Sequence, residues 1–113
     1  MKPAPFELAR PASLPEAAAT LARHAGGARL LAGGQSLGPM LNLRLVRPAM
    51  LVSIAHLPEL SAVAESADAV TIGAGVTHAA IADGRTPDIN GILARVAQGI
   101  AYRAVRNLGT IGG

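Results

Sequence analysis

The sequence predicts an α+β chain in two subdomains. Residues 1–58 form a small parallel three-stranded βαβ-type unit, and residues 59–113 begin a mixed or antiparallel one. Three observations predict this. A strand, a helix and a second strand follow one another between Phe6 and Leu31, the order that builds a parallel sheet. A third apolar run, Met50 to Ile54, is entered through Pro48 and left through His56-Leu57-Pro58. Beyond Pro58, Leu60 to Ala64 and Ala69 to Ile72 face each other across Ser66-Ala67-Asp68, most simply as a hairpin.

Taken in order, Phe6-Glu7-Leu8-Ala9 is a short strand stopped by the Arg10-Pro11 step, because proline has no N–H to donate to a ladder. Ser13 and Glu16 have the spacing of a capping box. Leu14, Ala17, Ala18 and Leu21 then share one face, which predicts a helix over about 13 to 25, closed by Gly26-Gly27. Ala28 to Leu31 reads as a buried strand. Ser36 to Leu45 is broken by Gly38-Pro39 and is expected to hold one short helical turn.

The chain is organised around Leu30-Leu31-Ala32-Gly33-Gly34-Gln35-Ser36-Leu37, where an apolar strand meets two glycines. Glycine reaches backbone dihedrals closed to other residues and lets a ligand approach the main chain. Successive N–H groups in such a turn make a concave cradle for an anion, at the carboxyl end of a strand where open α/β sheets place ligands. Phosphate is the chemistry implied. The turn is not a P-loop, since Gln35 and Ser36 stand where Gly-Lys-Ser/Thr would be needed.

Ile72-Gly73-Ala74-Gly75-Val76-Thr77-His78 begins like a dinucleotide fingerprint, but His78 replaces its third glycine. Nor does a strand ending in an acid follow about twenty residues later. A strand ending in a turn, with Thr77 capping a short helix from His78 to Ala82, is the plainer reading. Ile92, Leu93, Val96 and Ile100 recur at helical spacing and predict a helix over about 90 to 101. The chain finishes Leu108-Gly109-Thr110-Ile111-Gly112-Gly113, a second glycine turn with no element after it to pack against. The front part of a longer protein is expected.

Composition excludes several functions. The 113 residues contain no cysteine, so thiolate catalysis, disulfides and cysteine-held metal clusters must belong to a partner if they occur. The net charge of +3 is spread without a basic run and only one Tyr and one Phe are present, which argues against nucleic-acid binding. No apolar run approaches the roughly 20 residues of a membrane span, and the N-terminus lacks a signal-peptide pattern, so a cytoplasmic chain is expected. His24 is expected at a helix end and His56 and His78 in turns. Arg103 and Arg106 flank the second glycine turn, where an electrostatic role toward an anion is open to them.

Two separated glycine motifs, with the matching stretches between them, carry a resemblance. AGGQSLGPMLNLR at 32–44, LVSIAHLPEL at 51–60, TIGAGVTHAAI at 71–81 and VRNLGTIGG at 105–113 resemble the FAD-binding medium subunit of molybdenum hydroxylases, the carbon monoxide dehydrogenase and xanthine dehydrogenase family. Ser53 stands where that family often carries Asp. The resemblance implies an oxidoreductase subunit with a PCMH-type FAD-binding domain in two subdomains, FAD lying in the cleft between them. It implies that Ala32, Gly33, Gly34, Gln35, Ser36 and Leu37 hold the FAD pyrophosphate. It also implies that Thr110, Ile111, Gly112 and Gly113 approach the same cofactor, with Ile100 and Ala101 toward the flavin.

The implied function is electron transfer. Electrons from a molybdenum-cofactor large subunit would pass through an iron–sulfur small subunit to FAD and an acceptor. No residue is expected to act as acid, base or nucleophile, because the flavin carries the redox chemistry. The alternative is a truncated assembly module that docks on partner subunits without binding flavin, for which colourless co-purification would be the sign.

Overall fold

The computed structural model describes residues 1–113, which divide into two compact units, Met1–Leu57 and Pro58–Gly113. The first is built on a parallel sheet of β1 (Glu7–Ala9), β2 (Ala28–Leu31) and β3 (Met50–Ser53), with β3 in the middle. Leu51 lies opposite both Leu8 and Arg29, and Val52 opposite both Ala9 and Leu30. The sequence explains the order. Met50-Leu51-Val52-Ser53 presents bulk to both faces, as a strand covered on both sides must, and Leu51 and Val52 are 1% and 0% exposed.

The flanking strands cannot be so covered. Ala28 to Leu31, expected as a buried strand, buries only Ala28, and its Leu30 is 46% exposed because β2 lies at a sheet edge. One sheet face is packed by α1 (Leu14–Arg23), whose Ala17 joins Ala28 and Val52 in a core bordered by Ala9, Leu21, Met50 and Ile54. Small residues permit the close approach. Ser13 Oγ accepts the Glu16 amide at 3.2 Å, and the Glu16 carboxylate accepts the Ala12 amide at 2.9 Å, one residue upstream of the partner in a strict capping box.

The helix stops at Arg23, two residues short of expectation. His24 caps it, its Nδ1–H donating to the Thr20 carbonyl at 2.8 Å, and Gly26 then takes a φ of +80°. His56 also has a structural partner, donating from Nε2 to the Pro11 carbonyl at 2.6 Å. That bond ties the chain after β3 to the chain after β1. The expected short helical turn is α2 (Leu37–Asn42), which buries Leu41.

In the second unit a 3₁₀ turn at Pro58–Leu60 leads to β4 (Val63–Glu65) and β5 (Val70–Ile72), paired antiparallel as the hairpin expected. The Ser66 amide donates to the Ala69 carbonyl at 2.8 Å to close its turn. After β5 the chain crosses the Leu60–Ala62 backbone, with the Gly73 and Gly75 amides donating to the carbonyls of Ala62 and Leu60. A Cβ on Gly73 would lie 2.3 Å from the Leu60 carbonyl oxygen. Packing alone accounts for these glycines.

Thr77 caps α3 (His78–Ala82) by accepting the Ala80 amide at 3.1 Å, which places His78 in the helix rather than in a turn. Next, α4 spans Ile92–Gln98, shorter than the expected 90 to 101. Its start is set by Asn90 and Gly91, both left-handed, and by Asp88, whose carboxylate accepts the Leu93 and Ala94 amides. Those bonds hold the Asp88 carboxyl below the usual carboxylate range. Its buried face is Leu93 and Ala97, packed with Val76, Ile81 and Ala82, while Val96 is 63% exposed. The helical period is real, but the small residue faces the core and the large one faces water. A four-residue helix, α5 (Arg103–Arg106), was not expected. No helix is long and apolar enough to cross a membrane.

Candidate functional site

The first glycine turn leaves β2 at Ala32 and enters α2 at Leu37. Of its two glycines only Gly34 is left-handed, with φ +73°. The turn is held by its carbonyls. Gly34 accepts the Gly38 amide at 2.8 Å, Ser36 accepts the Met40 amide at 3.3 Å, and Gly33 accepts the Gln35 side-chain amide at 3.4 Å. The strand before it is anchored through the Leu31 carbonyl to the Ile54 amide at 3.0 Å.

The amides behave differently. None of the N–H groups of Gly33, Gly34, Gln35, Ser36 or Leu37 donates to an acceptor in the chain. Main-chain donors are strong and need partners. Five in succession, in a turn half-buried except at Ser36, are a row of donors of the kind that anions accept from. The Ser36 hydroxyl caps nothing and is also free. With six residues, α2 is too short to lend much of a dipole, so the cradle rests on the amides themselves.

The charge distribution favours an anion here. Lys2, Arg10, Arg23, Arg29, Arg44 and Arg47 stand against Glu7 and Glu16 in the first unit, whereas the second has more acids than bases. The excess positive charge therefore belongs to the unit that carries the open turn.

The second glycine turn is closed. His78 donates to the Gly109 carbonyl and Ile111 to the Val76 carbonyl, both at 2.9 Å, flanking an antiparallel bridge between Thr77 and Thr110. Gly112 donates to the Ala74 carbonyl at 2.9 Å and Gly113 to the Thr110 carbonyl at 3.2 Å. Thr110 is 7% exposed, and its Oγ1–H donates to the Gly113 carbonyl at 2.8 Å. The expectation that this Gly-Gly has nothing to pack against is thus corrected. A Cβ on Gly112 would lie 2.5 Å from that of Ala74. The TIGAGVTH and LGTIGG stretches are two halves of one docked pair, which their separate positions in the sequence do not reveal.

The two flanking arginines also have internal partners. Arg103 grips Asp83 through two bonds of 2.6 and 2.7 Å, and Arg85 lies 3.7 Å from the same carboxylate. The Arg103 hydrogen bonds hold the Asp83 carboxyl below its ordinary range. Arg106 donates from Nη1 to the carbonyls of Ile100 at 2.9 Å and Ala101 at 3.1 Å. No three His, Asp or Glu side chains gather as a metal site would require.

The chain belongs to the family described as the FAD binding domain in molybdopterin dehydrogenase, whose model matches residues 4–113. Its relatives are particular. It is 42% identical over 118 residues to the carbon monoxide dehydrogenase medium chain of Hydrogenophaga pseudoflava, covering all of this chain and 40% of that one. It is 40% identical over 114 residues to the 6-hydroxypseudooxynicotine dehydrogenase complex subunit alpha of Paenarthrobacter nicotinovorans, covering all of this chain and 38% of that one.

Among solved structures it superimposes with a TM-score of 0.93, at 40% identity, on carbon monoxide dehydrogenase from Hydrogenophaga pseudoflava lacking the Mo-pyranopterin moiety. Quinoline 2-oxidoreductase from Pseudomonas putida 86 gives a TM-score of 0.93 at 42% identity, and in both comparisons all of this chain covers 40% of the other. The chain therefore spans about two-fifths of the length of these relatives. FAD is the cofactor of this family, and the first turn fits it: a pyrophosphate is an acceptor-only group, and the turn offers an unbroken row of donors.

Proposed function

We propose that the chain is the flavin-holding part of an electron-transfer subunit in a molybdenum-containing hydroxylase or dehydrogenase. Ala32, Gly33, Gly34, Gln35, Ser36 and Leu37 hold the FAD pyrophosphate, mainly through the amides of residues 33–37. Thr110, Ile111, Gly112 and Gly113 are carried over as cofactor-contacting residues on the family's second motif. The row of undonated amides in a glycine turn is the observation that carries this reading. Bound FAD supplies one- and two-electron chemistry; this chain's residues bind and orient it.

The partners in this reading are a molybdenum-cofactor large subunit and an iron–sulfur small subunit. The relatives' names, which include a medium chain and a subunit of a dehydrogenase complex, support a multi-subunit assembly. Carbon monoxide dehydrogenase-like chemistry and a cytoplasmic location complete it. The absence of cysteine is compatible with clusters held elsewhere. The test is Gly34→Val in the complete subunit, scored by flavin content after purification. Loss of FAD with the fold retained is expected; stoichiometric FAD in the variant would overturn the assignment of the turn.

A further inference from the structure

We propose that Arg106 is a positioning residue that acts on flavin binding through the Ile100–Ala101 backbone, not by contact with the anionic cofactor. Ala101 has φ +46°, a left-handed conformation that costs a residue with a Cβ and that glycine would adopt freely. Something must hold it there. Both carbonyls that bracket the residue's φ and ψ, those of Ile100 and Ala101, accept from the single Nη1 of Arg106 at 2.9 and 3.1 Å. The guanidinium thus sets the dihedrals on either side of the strained Cα.

Two further observations agree. Arg106 Nε is buried with no hydrogen-bond partner, so the side chain keeps this position at the cost of an unsatisfied donor. Meanwhile, with both carbonyls turned toward Arg106, the Ala101 and Tyr102 amides donate to nothing in the chain. Arg106 also sits in the segment that ends in the second glycine turn. Its neighbour Val105 accepts the Gly109 amide at 2.8 Å, so the guanidinium links the 100–101 turn to the stretch running into Thr110.

This inference rests on the proposed flavin function, and its test separates the two. A double-mutant cycle of Arg106→Ala and Ala101→Gly in the whole chain, with Arg106→Lys as the conservative variant, would be read by amide hydrogen exchange without flavin and by FAD titration at two salt concentrations. Arg106→Ala should speed exchange at least about tenfold at Ile100 and Val105, whose amides donate to the Ala97 and Tyr102 carbonyls on either side of the turn, and weaken FAD by about tenfold, with an unchanged salt slope. Adding Ala101→Gly should recover most of the affinity, because the left-handed turn no longer needs enforcing. Arg106→Lys should stay near wild type, since both bonds come from one nitrogen.

Failure of Ala101→Gly to rescue, with a shallower salt slope in Arg106→Ala, would show direct anion contact and overturn the proposal. Unchanged exchange at Ile100 and Val105 would overturn it without reference to flavin. If the wild type binds no FAD, the functional reading fails along with the flavin arm of this proposal, and the exchange arm still decides whether Arg106 holds the turn.

Discussion

The two glycine turns of this chain look alike in sequence and are opposite in structure. At residues 33–37 the amides are undonated and the carbonyls hold the turn together; at 111–113 every amide is spent on the chain itself. Glycine has a different cause in each. Gly34 is required by a φ of +73°, and a Cβ there would meet Leu31 only at an ordinary 3.4 Å, so the protein side has room. Gly112 has no unusual φ but would drive a Cβ into Ala74. One turn leaves its amides undonated, and the other also closes a structural seam.

Breaking the comparison calls for substitutions that hit one turn and spare the other. The largest effect expected is on flavin: Gly34→Val places a branched side chain at the cradle and should remove measurable FAD binding. Left-handed strain should also cost about 1–2 kcal/mol of stability. Titration together with a chemical melt separates those two effects. Gly112→Ala should act first on stability. Overpacking against Ala74 is expected to cost about 1–3 kcal/mol, seen as a lower melting temperature of the unit containing residues 58–113.

A smaller effect concerns Asp83. Its folded pKa is depressed by Arg103, so its contribution is present above the unfolded pKa of about 4 and is lost as pH falls through the folded value. Asp83→Asn should lower the melting temperature slightly at pH 7 and flatten its change as pH falls below about 4. A variant whose melt keeps the full acid dependence would remove Asp83 from that role. The smallest effect is that of Gly38→Ala. A Cβ at Gly38 meets nothing within 4 Å, and helical alanine is favoured over glycine by about 0.5–1 kcal/mol. Slight stabilisation with FAD affinity unchanged is expected.

Much of this was legible in the sequence because local chemistry and tertiary structure agree. Ser13 and Thr77 cap the helices their positions suggest, and the MLVS run has the bulk of a central strand. The first glycine turn announced a cradle through its strand–Gly–Gly pattern. What the sequence hid depended on distant partners. The seam between 74–78 and 109–112 joins residues too far apart for any local signal, and Asp88 as the cap of α4 lies three residues before its N-cap position. The α4 helix is shorter than its apolar spacing predicts because the bulk of Val96 and Ile100 mimics an inner face. Only packing shows that Leu93 and Ala97 form the inner face. Arg106 was open to a ligand role until its two carbonyl partners appeared.

The most direct measurement is a titration of the chain with FAD, followed by flavin fluorescence, with FMN alongside as the flavin lacking the pyrophosphate and adenylate. Saturable binding of FAD well above FMN, abolished by Gly34→Val and preserved in Gly38→Ala, is the result expected if the amides of residues 33–37 grip the pyrophosphate. Equal affinity for the two flavins, or FAD affinity untouched by Gly34→Val, would contradict it.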